Sequence, residues 1–274
     1  MTTPAPVSPS QARLTSRAVI ALGGADWRTF LQGLITQDVE TLAVGELRLG
    51  AILTPQGRLL YDLFIAGTDG GVLLDVAAQH REAIIQRLTM YRLRAQVEIT
   101  ASDLTVTALF PADDTLKADE GFYRDPRLPL LGARAYGLAA APTADEDAYD
   151  AHRLALGVPG PADWLTDKTY PIEANFDLLH GIDFKKGCFV GQETTSRMKR
   201  RGTIKTRMAP IIFDGPAPAF GAEILAGERR AGEVLSGRDG RAMAALRLDR
   251  IEGAALTVDG RPVSVDWPDW MPTA

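Results

Sequence analysis

The sequence has little cysteine and histidine and no long apolar run. Cys188 is the single cysteine among 274 residues, so no internal disulfide can form, which is typical of a reducing compartment and predicts a cytoplasmic location. No run approaches the roughly 18 apolar residues of a membrane span, so no membrane partner is expected. His80, His152 and His180 are scattered without metal-ligand spacing, so no structural metal is expected. These absences exclude a disulfide-stapled domain, a membrane-spanning protein and a zinc-finger-type module.

The composition is that of a folded protein apart from its first residues. Hydrophobic residues make up 46% and charged residues 24% of the chain, which is ordinary for a globular protein. Residues 1–16 carry Pro4, Pro6 and Pro9 among small polar residues, without an apolar period. We therefore expect residues 1–16 to form a flexible N-terminal arm.

Positive charge is concentrated in one window, residues 185–207, here called the basic strip. It holds eight basic residues and one acid, Glu193, which gives +7 in a chain whose net charge is −5. A cationic strip on an acidic body indicates an anionic ligand or partner. The alternative is a solvated segment whose lysines and arginines face water.

Hydrophobic spacing predicts a mixed α and β fold. Helical spacing appears in residues 26–35, 79–93 and 145–156, with Asp26 as the cap of the first helix. In the second helix, Ile84, Ile85, Leu88 and Tyr91 share one side. Strands are predicted at residues 17–22, 47–53, 58–65, 72–76 and 104–110. The second and third of these flank Thr54-Pro55-Gln56-Gly57, whose turn chemistry predicts a hairpin.

The pattern changes after Gly202. Short apolar runs separated by Gly and Pro follow each other closely to the end of the chain. Several short strands at close spacing predict a small antiparallel barrel or sandwich, with a domain boundary near Gly202.

Three segments carry a resemblance to a known family. Residues 186–193 read K-G-C-F-V-G-Q-E, which resembles the K-G-C-[FY]-x-G-Q-E signature of the YgfZ family, relatives of the glycine-cleavage T-protein. Residues 26–38 are similar to the entry helix of both groups. Residues 54–62, T-P-Q-G-R-L-L-Y-D, resemble the hairpin of the superfamily, most closely in the branch containing the mitochondrial iron–sulfur assembly factors.

The resemblance implies a fold and a function. The implied α+β fold has two ferredoxin-like units in residues 17–202 and a small C-terminal β-barrel in residues 203–274, arranged around a central channel. That channel holds tetrahydrofolate in the T-protein. The implied function is that of a tetrahydrofolate-binding accessory factor for iron–sulfur proteins, including tRNA-modifying enzymes. The implied partners are reduced folate and iron–sulfur client or assembly proteins.

The resemblance also implies folate-binding residues. Asp62 ends the Gly-x-x-x-x-Asp hairpin, where a carboxylate can accept a hydrogen bond or proton from a pterin. Arg153 begins an R-x-x-x-G segment, and a guanidinium suits the glutamyl tail of folate. Glu173 lies in a recognisable segment and contacts ligand or braces a loop. For Asp62 and Arg153 the alternatives are a local backbone cap and an ion pair with a nearby acid.

One segment departs from the T-protein pattern. T-proteins carry an acidic stretch that contributes to pterin recognition, whereas residues 127–138 here contain no acid. Because the 2-amino and N3–H donors of a pterin need acceptors, this loss predicts weak or absent aminomethyl transfer.

Cys188 has a functional and a structural interpretation. Lys185, Lys186 and Arg197 favour its thiolate, and Gly187 and Gly191 leave its backbone open to close approach. The alternative is a buried small hydrophobe. One thiolate cannot hold a cluster that needs four, so a transient contact or a cluster shared across subunits stays open. The family motif comprises Lys186, Gly187, Cys188, Phe189, Gly191, Gln192 and Glu193, the last two positioning the loop or a ligand.

Three function classes remain open on the sequence. The first is a folate-binding factor that supports iron–sulfur enzymes, with little or no catalysis of its own. The second is a folate-dependent aminomethyltransferase or other one-carbon transferase. The third is an RNA-binding module that uses the basic strip, although no known RNA-binding motif is present.

Overall fold

The computed structural model describes residues 9–110, 121–139, 141–202 and 204–272. Its α-helices are α1 (Trp27–Gln32), α2 (Arg81–Arg92), α3 (Glu146–Ala155), α4 (Gln192–Arg201) and α5 (Leu248–Ile251). Its strands are β1 (Ser10–Arg13), β2 (Arg17–Gly23), β3 (Leu47–Leu53), β4 (Leu59–Thr68), β5 (Gly71–Ala77), β6 (Glu98–Ser102), β7 (Val106–Phe110), β8 (Phe122–Arg124), β9 (Ala133–Tyr136), β10 (Thr206–Ile212), β11 (Glu223–Ala226), β12 (Arg229–Arg238), β13 (Arg241–Arg247), β14 (Leu256–Val258) and β15 (Arg261–Val265). No helix in the part of the chain that the structure describes is long and apolar enough to span a membrane.

The first of two compact units comprises Met1–Trp27, Thr41–Arg48 and Phe64–His152. One sheet in this unit has the strand order β1-β7-β9-β8, and a second contains the neighbouring strands β4-β5-β2-β6, with each of these neighbours antiparallel. Helix α2 packs on β2 and β6 and buries Ile84 and Leu88. The predicted apolar side of this helix is therefore confirmed at these two residues, whereas Tyr91 is exposed.

The predicted N-terminal arm is partly a strand. Residues 10–13 form β1, which pairs antiparallel with β7 and places the side chain of Ala12 in the core. Two backbone hydrogen bonds from residues 143 and 144 to the Gln11 carbonyl join β1 to a second segment. The prediction of a flexible arm is therefore wrong for residues 9–16. Residues 1–8 lie outside the described part of the chain.

The second unit comprises Arg28–Glu40, Leu49–Leu63 and Arg153–Ala274. Its C-terminal part is a closed antiparallel barrel with the order β10-β13-β12-β11-β14-β15. Inward side chains of these strands, mostly Ala, Val, Ile and Leu, form one buried cluster. The predicted small barrel is confirmed, and closing the sheet buries its apolar inner face and leaves no edge strand.

The entry helix is shorter than predicted, and Asp26 has another role. Helix α1 ends at Gln32. The Asp26 Oδ2 atom accepts a hydrogen bond from the Gln96 backbone N–H at 2.7 Å, and the Asp26 N–H donates to the Gln96 carbonyl at 3.1 Å. Asp26 therefore binds a distant turn of the first unit. A capping role could be predicted from the local sequence, but a partner 70 positions away could not.

Candidate functional site

Lys186 anchors the loop that carries Cys188. Its ammonium donates to the backbone carbonyls of Gln32, Ile35 and Gln37 at 2.8, 2.7 and 2.7 Å. The residue is only 8% exposed, so all three ammonium donors are matched by acceptors inside the protein. These carbonyls lie at and after the end of α1, where backbone acceptors lack helical partners and attract a cation.

Burial affects the charge of this ammonium. It lowers the pKa of Lys186 to about 8, while the carboxylates of Asp38, Asp183 and Glu40 act in the opposite direction. At neutral pH the side chain is therefore still mostly protonated, and the anchor is a charged one.

The loop is fixed on both sides of the cysteine. Before it, Asp183 Oδ1 accepts from the backbone N–H groups of Lys185 and Lys186 at 2.7 and 3.1 Å. After it, Phe189 is buried, and the N–H of Val190 donates to the Gly33 carbonyl at 3.2 Å. The chain between these attachments is short, so its conformation is held by its flanks.

Gly187 and Cys188 are exposed between these attachments. The structure therefore excludes the interpretation of Cys188 as a buried small hydrophobe. Among the described residues no group of three or more His, Cys, Asp and Glu side chains could hold a metal ion. The site thus offers one solvent-facing thiol on a loop that is anchored on both sides, to which a second molecule has access.

Two of the family segments form one physical unit. Gly57, in the turn before β4, and Gly191, before α4, both have positive φ angles, of 80° and 83°. A Cβ atom on Gly191 would lie 2.6 Å from the Thr54 carbonyl oxygen, and one on Gly57 would lie 2.9 Å from the Thr194 Cβ. The hairpin turn therefore contacts the end of the Cys188 loop directly, and both positions require glycine.

Replacing Gly191 by alanine is expected to lower the free energy of unfolding by about 3 kcal/mol, because a strained φ and a clash with backbone combine. Gly202→Ala is the matched control. Gly202 also has a positive φ, of 70°, but a Cβ there would meet nothing within 4 Å, so a loss of only about 1 kcal/mol is expected. Urea unfolding measures both. Equal losses would show that the contact between the turn and the loop contributes nothing.

Asp62 and Glu173 lie in the same unit as this loop. Asp62 is on β4 and only 5% exposed. Glu173 Oε2 accepts from the Tyr170 N–H at 2.9 Å. Burial raises the pKa of Glu173 above its ordinary value, although the Tyr170 bond and the charge of Arg58 oppose the shift. Glu173 thus braces a loop, which is one of the two roles that the sequence analysis gave it.

Arg153 has an acidic partner inside the protein. Its guanidinium lies 3.0 Å from Asp163 Oδ2, and both side chains are buried. The other oxygen of Asp163 accepts from the N–H of Ser236 at 3.2 Å, and Oδ2 also accepts from the Gly160 N–H at 2.7 Å. The predicted alternative, an ion pair with an acid, is therefore present at Arg153.

The basic strip is divided between surface and interior. Six of its basic residues are exposed: Lys185, Arg197, Lys199, Arg200, Arg201 and Lys205. Arg207 is buried instead and contacts Asp177 through both terminal nitrogens, at 2.8 and 2.9 Å. Lys186 is buried as well. The cationic surface is thus centred on α4, which begins directly after the Cys188 loop.

A buried ionic cluster in the first unit was not found from the sequence. Asp75 binds Arg17 at 2.6 Å and Arg134 at 2.7 Å, and Asp125 binds Arg127 at 2.7 Å, with all five side chains buried. Burial opposes their charges, yet the arginines hold the pKa of Asp125 below its ordinary value. Arg127 and Arg134 belong to the segment that lacks the T-protein's acids, so that segment serves internal packing here.

This cluster surrounds one aromatic ring. The guanidinium carbons of Arg134, Arg127 and Arg17 lie 3.8, 4.8 and 5.5 Å from the ring centre of Phe64. The hydroxyl of Tyr149 accepts from Arg127 and Arg134 at 3.0 and 3.3 Å. The sequence does contain one signal for this cluster, which is a charged residue inside an apolar strand, as in A-R-A at residues 133–135.

The fold defines the class of protein. The structure is similar to the glycine cleavage system aminomethyltransferase T from Bartonella henselae, with a TM-score of 0.76 and 18% identity over 97% of this chain and 87% of that one. Residues 205–273 match the family model of the CAF17 C-terminal beta-barrel domain. The chain therefore has the aminomethyltransferase fold with a CAF17-type barrel.

Sequence comparison identifies the family within this class. The chain is 30% identical to the mitochondrial iron–sulfur cluster assembly factor IBA57 of Mus musculus, over 96% of the chain and 85% of that protein. It is 31% identical to the mitochondrial IBA57 homolog of Neurospora crassa, over 77% of the chain. It spans 56% of the length of that relative. The chain belongs to the IBA57 family.

The comparisons confirm one prediction and correct another. The resemblance to the YgfZ-related branch that contains mitochondrial iron–sulfur assembly factors is confirmed. The predicted cytoplasmic location is wrong, because these relatives are mitochondrial proteins by name. A lone cysteine indicates a reducing environment and does not distinguish between compartments that share it.

Proposed function

We propose that this protein is an accessory factor for the assembly or maintenance of iron–sulfur proteins, including tRNA-modifying enzymes. The exposed thiol of Cys188, on a loop anchored by Lys186 and Val190, carries the proposal. Thiolates are the usual ligands of iron–sulfur clusters, and a cluster needs about four of them. A single thiol therefore acts with thiols of a partner, either in a brief contact or by sharing a cluster across the interface. The relatives named as iron–sulfur cluster assembly factors support the same role.

Reduced folate is the proposed cofactor. The aminomethyltransferase fold supports it, and the carboxyl groups of Asp62 and Glu173 provide acceptors of the kind that pterin donors need. The raised pKa of Glu173 also favours a carboxyl that can share a proton with a ring nitrogen. Arg153 fits less well as a ligand of the glutamyl tail, because Asp163 already binds its guanidinium. In this proposal Arg153 orders the segment after α3.

Calorimetry with tetrahydrofolate tests the cofactor. Binding is expected at millimolar ligand or below, where the affinity corresponds to about −4 kcal/mol. Asp62→Asn is expected to weaken binding about tenfold, since it keeps the shape of the side chain and loses the charge. Asp249→Asn, a change in an exposed carboxylate of the barrel, is the control. No heat with the native protein at millimolar ligand would remove folate from the proposal and leave the thiol role standing.

The alternatives have their own signatures. Turnover of tetrahydrofolate with an aminomethylated lipoyl carrier at about 10 per second would make the protein a transferase. RNA binding through the exposed basic residues of α4 would show a steep salt dependence. We propose instead that this surface binds an acidic face of an iron–sulfur client or assembly protein, because it adjoins the Cys188 loop and a docked protein would then bring its own thiols to that loop.

A further inference from the structure

The C-terminal end of α2 exposes three large apolar side chains. Met90, Tyr91 and Leu93 are 65%, 41% and 88% exposed. Tyr91 belongs by sequence to the apolar side of the helix, yet α2 buries only Ile84 and Leu88. We call these three residues, with the arginines beside them, the α2 tip. Because these side chains are exposed, most of their apolar surface is not buried in the core.

The backbone at the α2 tip is strained. Leu93 has a φ of 46° and a ψ of −106°, the mirror image of an extended conformation, which glycine adopts freely and leucine does not. Helix α4 ends in the usual way, with Gly202 at a φ of 70°. A leucine in place of glycine costs free energy, and at 88% exposure it gains almost no burial in return. Strained residues of this kind cluster at functional sites.

The surrounding structure holds this strain in place. Gln96, three residues later, exchanges two hydrogen bonds with Asp26, at 2.7 and 3.1 Å. Gly24 lies against the same residue, since a Cβ there would be 2.3 Å from the Gln96 carbonyl oxygen. The turn after α2 is therefore held at Gln96, and the hydrogen bond from the Ala95 N–H to the Arg92 carbonyl, at 2.8 Å, closes it around Leu93.

The chain segment that forms the α2 tip carries only positive charges, and the next acid along the chain is the exposed Glu98. Residues 83–97 contain Arg87, Arg92 and Arg94 and no acid. Arg92 and Arg94 are exposed, and the Arg87 guanidinium lies 5.7 Å from the ring centre of Tyr91. Asp26 touches this turn, but its carboxylate is bound to the Gln96 backbone. The α2 tip thus combines apolar side chains with positive charge.

We propose that the α2 tip docks on an anionic phospholipid surface. Apolar side chains that enter the headgroup region, flanked by arginines that meet lipid phosphates, are the requirements for such a contact. Met90, Tyr91 and Leu93 lie within one turn at the helix end, whereas a groove on a protein binds a longer series of anchors at i, i+3, i+4 and i+7. Docking of this kind needs no membrane-spanning helix.

Sedimentation with lipid vesicles tests the proposal on the whole protein. The native chain is expected to bind vesicles of equal parts phosphatidylcholine and phosphatidylglycerol, and not vesicles of phosphatidylcholine alone. Leu93→Gly is expected to bind about tenfold more weakly, because the inserted side chain is lost. Its melting temperature is expected to stay the same or rise, because the strain is relieved. A purely structural role of Leu93 predicts the opposite pair of results.

Two controls complete the experiment. Leu130→Ser removes a side chain of the same unit that is 60% exposed, and it should bind vesicles like the native chain. Arg94→Gln should weaken binding and reduce its dependence on salt. The proposal is overturned if the native chain stays in solution with anionic vesicles at low salt, which would leave an acidic protein as the occupant, or if Leu93→Gly binds as well as the native chain.

Discussion

Replacing Cys188 by serine is expected to abolish the support of iron–sulfur enzymes while the protein stays folded. The thiol is solvent-exposed, and the loop is held by Lys186 before it and by Phe189 and Val190 after it. Serine is nearly the same size, so it leaves those contacts in place and removes only the metal-binding and nucleophilic sulfur. Complementation of a deletion strain, with several iron–sulfur enzymes assayed, measures the effect.

Two further measurements on the same variant make this result decisive. The melting temperature should match that of the native protein, and tetrahydrofolate titration should give the same affinity. Leu165→Ser, which changes an exposed residue of the same unit, is the control and should complement fully. Full rescue by Cys188→Ser at native expression would contradict the proposed role of the thiol. If the variant fails to rescue and also loses affinity for folate, the defect would lie in cofactor binding and not in the thiol.

Replacing Asp75 by asparagine is expected to cost about 3–5 kcal/mol of unfolding free energy, the usual penalty for breaking a buried ion pair. Asp75 is fully buried and binds both Arg17 and Arg134. Without its charge, the buried guanidinium groups of Arg17 and Arg134 lose this carboxylate in a region of low dielectric constant. Urea unfolding, monitored by tryptophan fluorescence and circular dichroism, gives the value.

An exposed ion pair provides the control for Asp75. Asp249 pairs with Arg247 at 2.9 Å on the barrel surface, and Asp249→Asn should change stability little. A loss below about 1 kcal/mol for Asp75→Asn would mean that water or a shifted side chain compensates the cluster. If the cluster were also part of the folate site, Asp75→Asn would weaken folate binding beyond what the fraction of unfolded protein explains.

Local patterns determined much of this protein from its sequence. Two segments identified the family: the octapeptide at residues 186–193 and the hairpin at residues 54–62. Their glycines permit a particular backbone conformation and the cysteine supplies a thiol, and few other sequences share this combination. The short apolar runs after Gly202 predicted a small antiparallel barrel or sandwich, since the spacing of strands follows from the pattern of neighbouring residues. The concentration of arginine and lysine in residues 185–207 could also be read directly from the sequence, whereas the helix α4 that carries most of it was not predicted.

Only the tertiary structure decided which charged groups serve ligands and which serve the fold. Lys186 looked like a neighbour of the thiol, yet its ammonium binds carbonyls about 150 positions earlier in the chain. Arg153 looked like a ligand for a carboxylate and has Asp163 instead. Gly57 and Gly191 belong to separate motifs and meet in space. Periodicity and motifs report the conformation of neighbouring residues, whereas the partner of a buried charge or glycine depends on how distant segments pack, which no local pattern records.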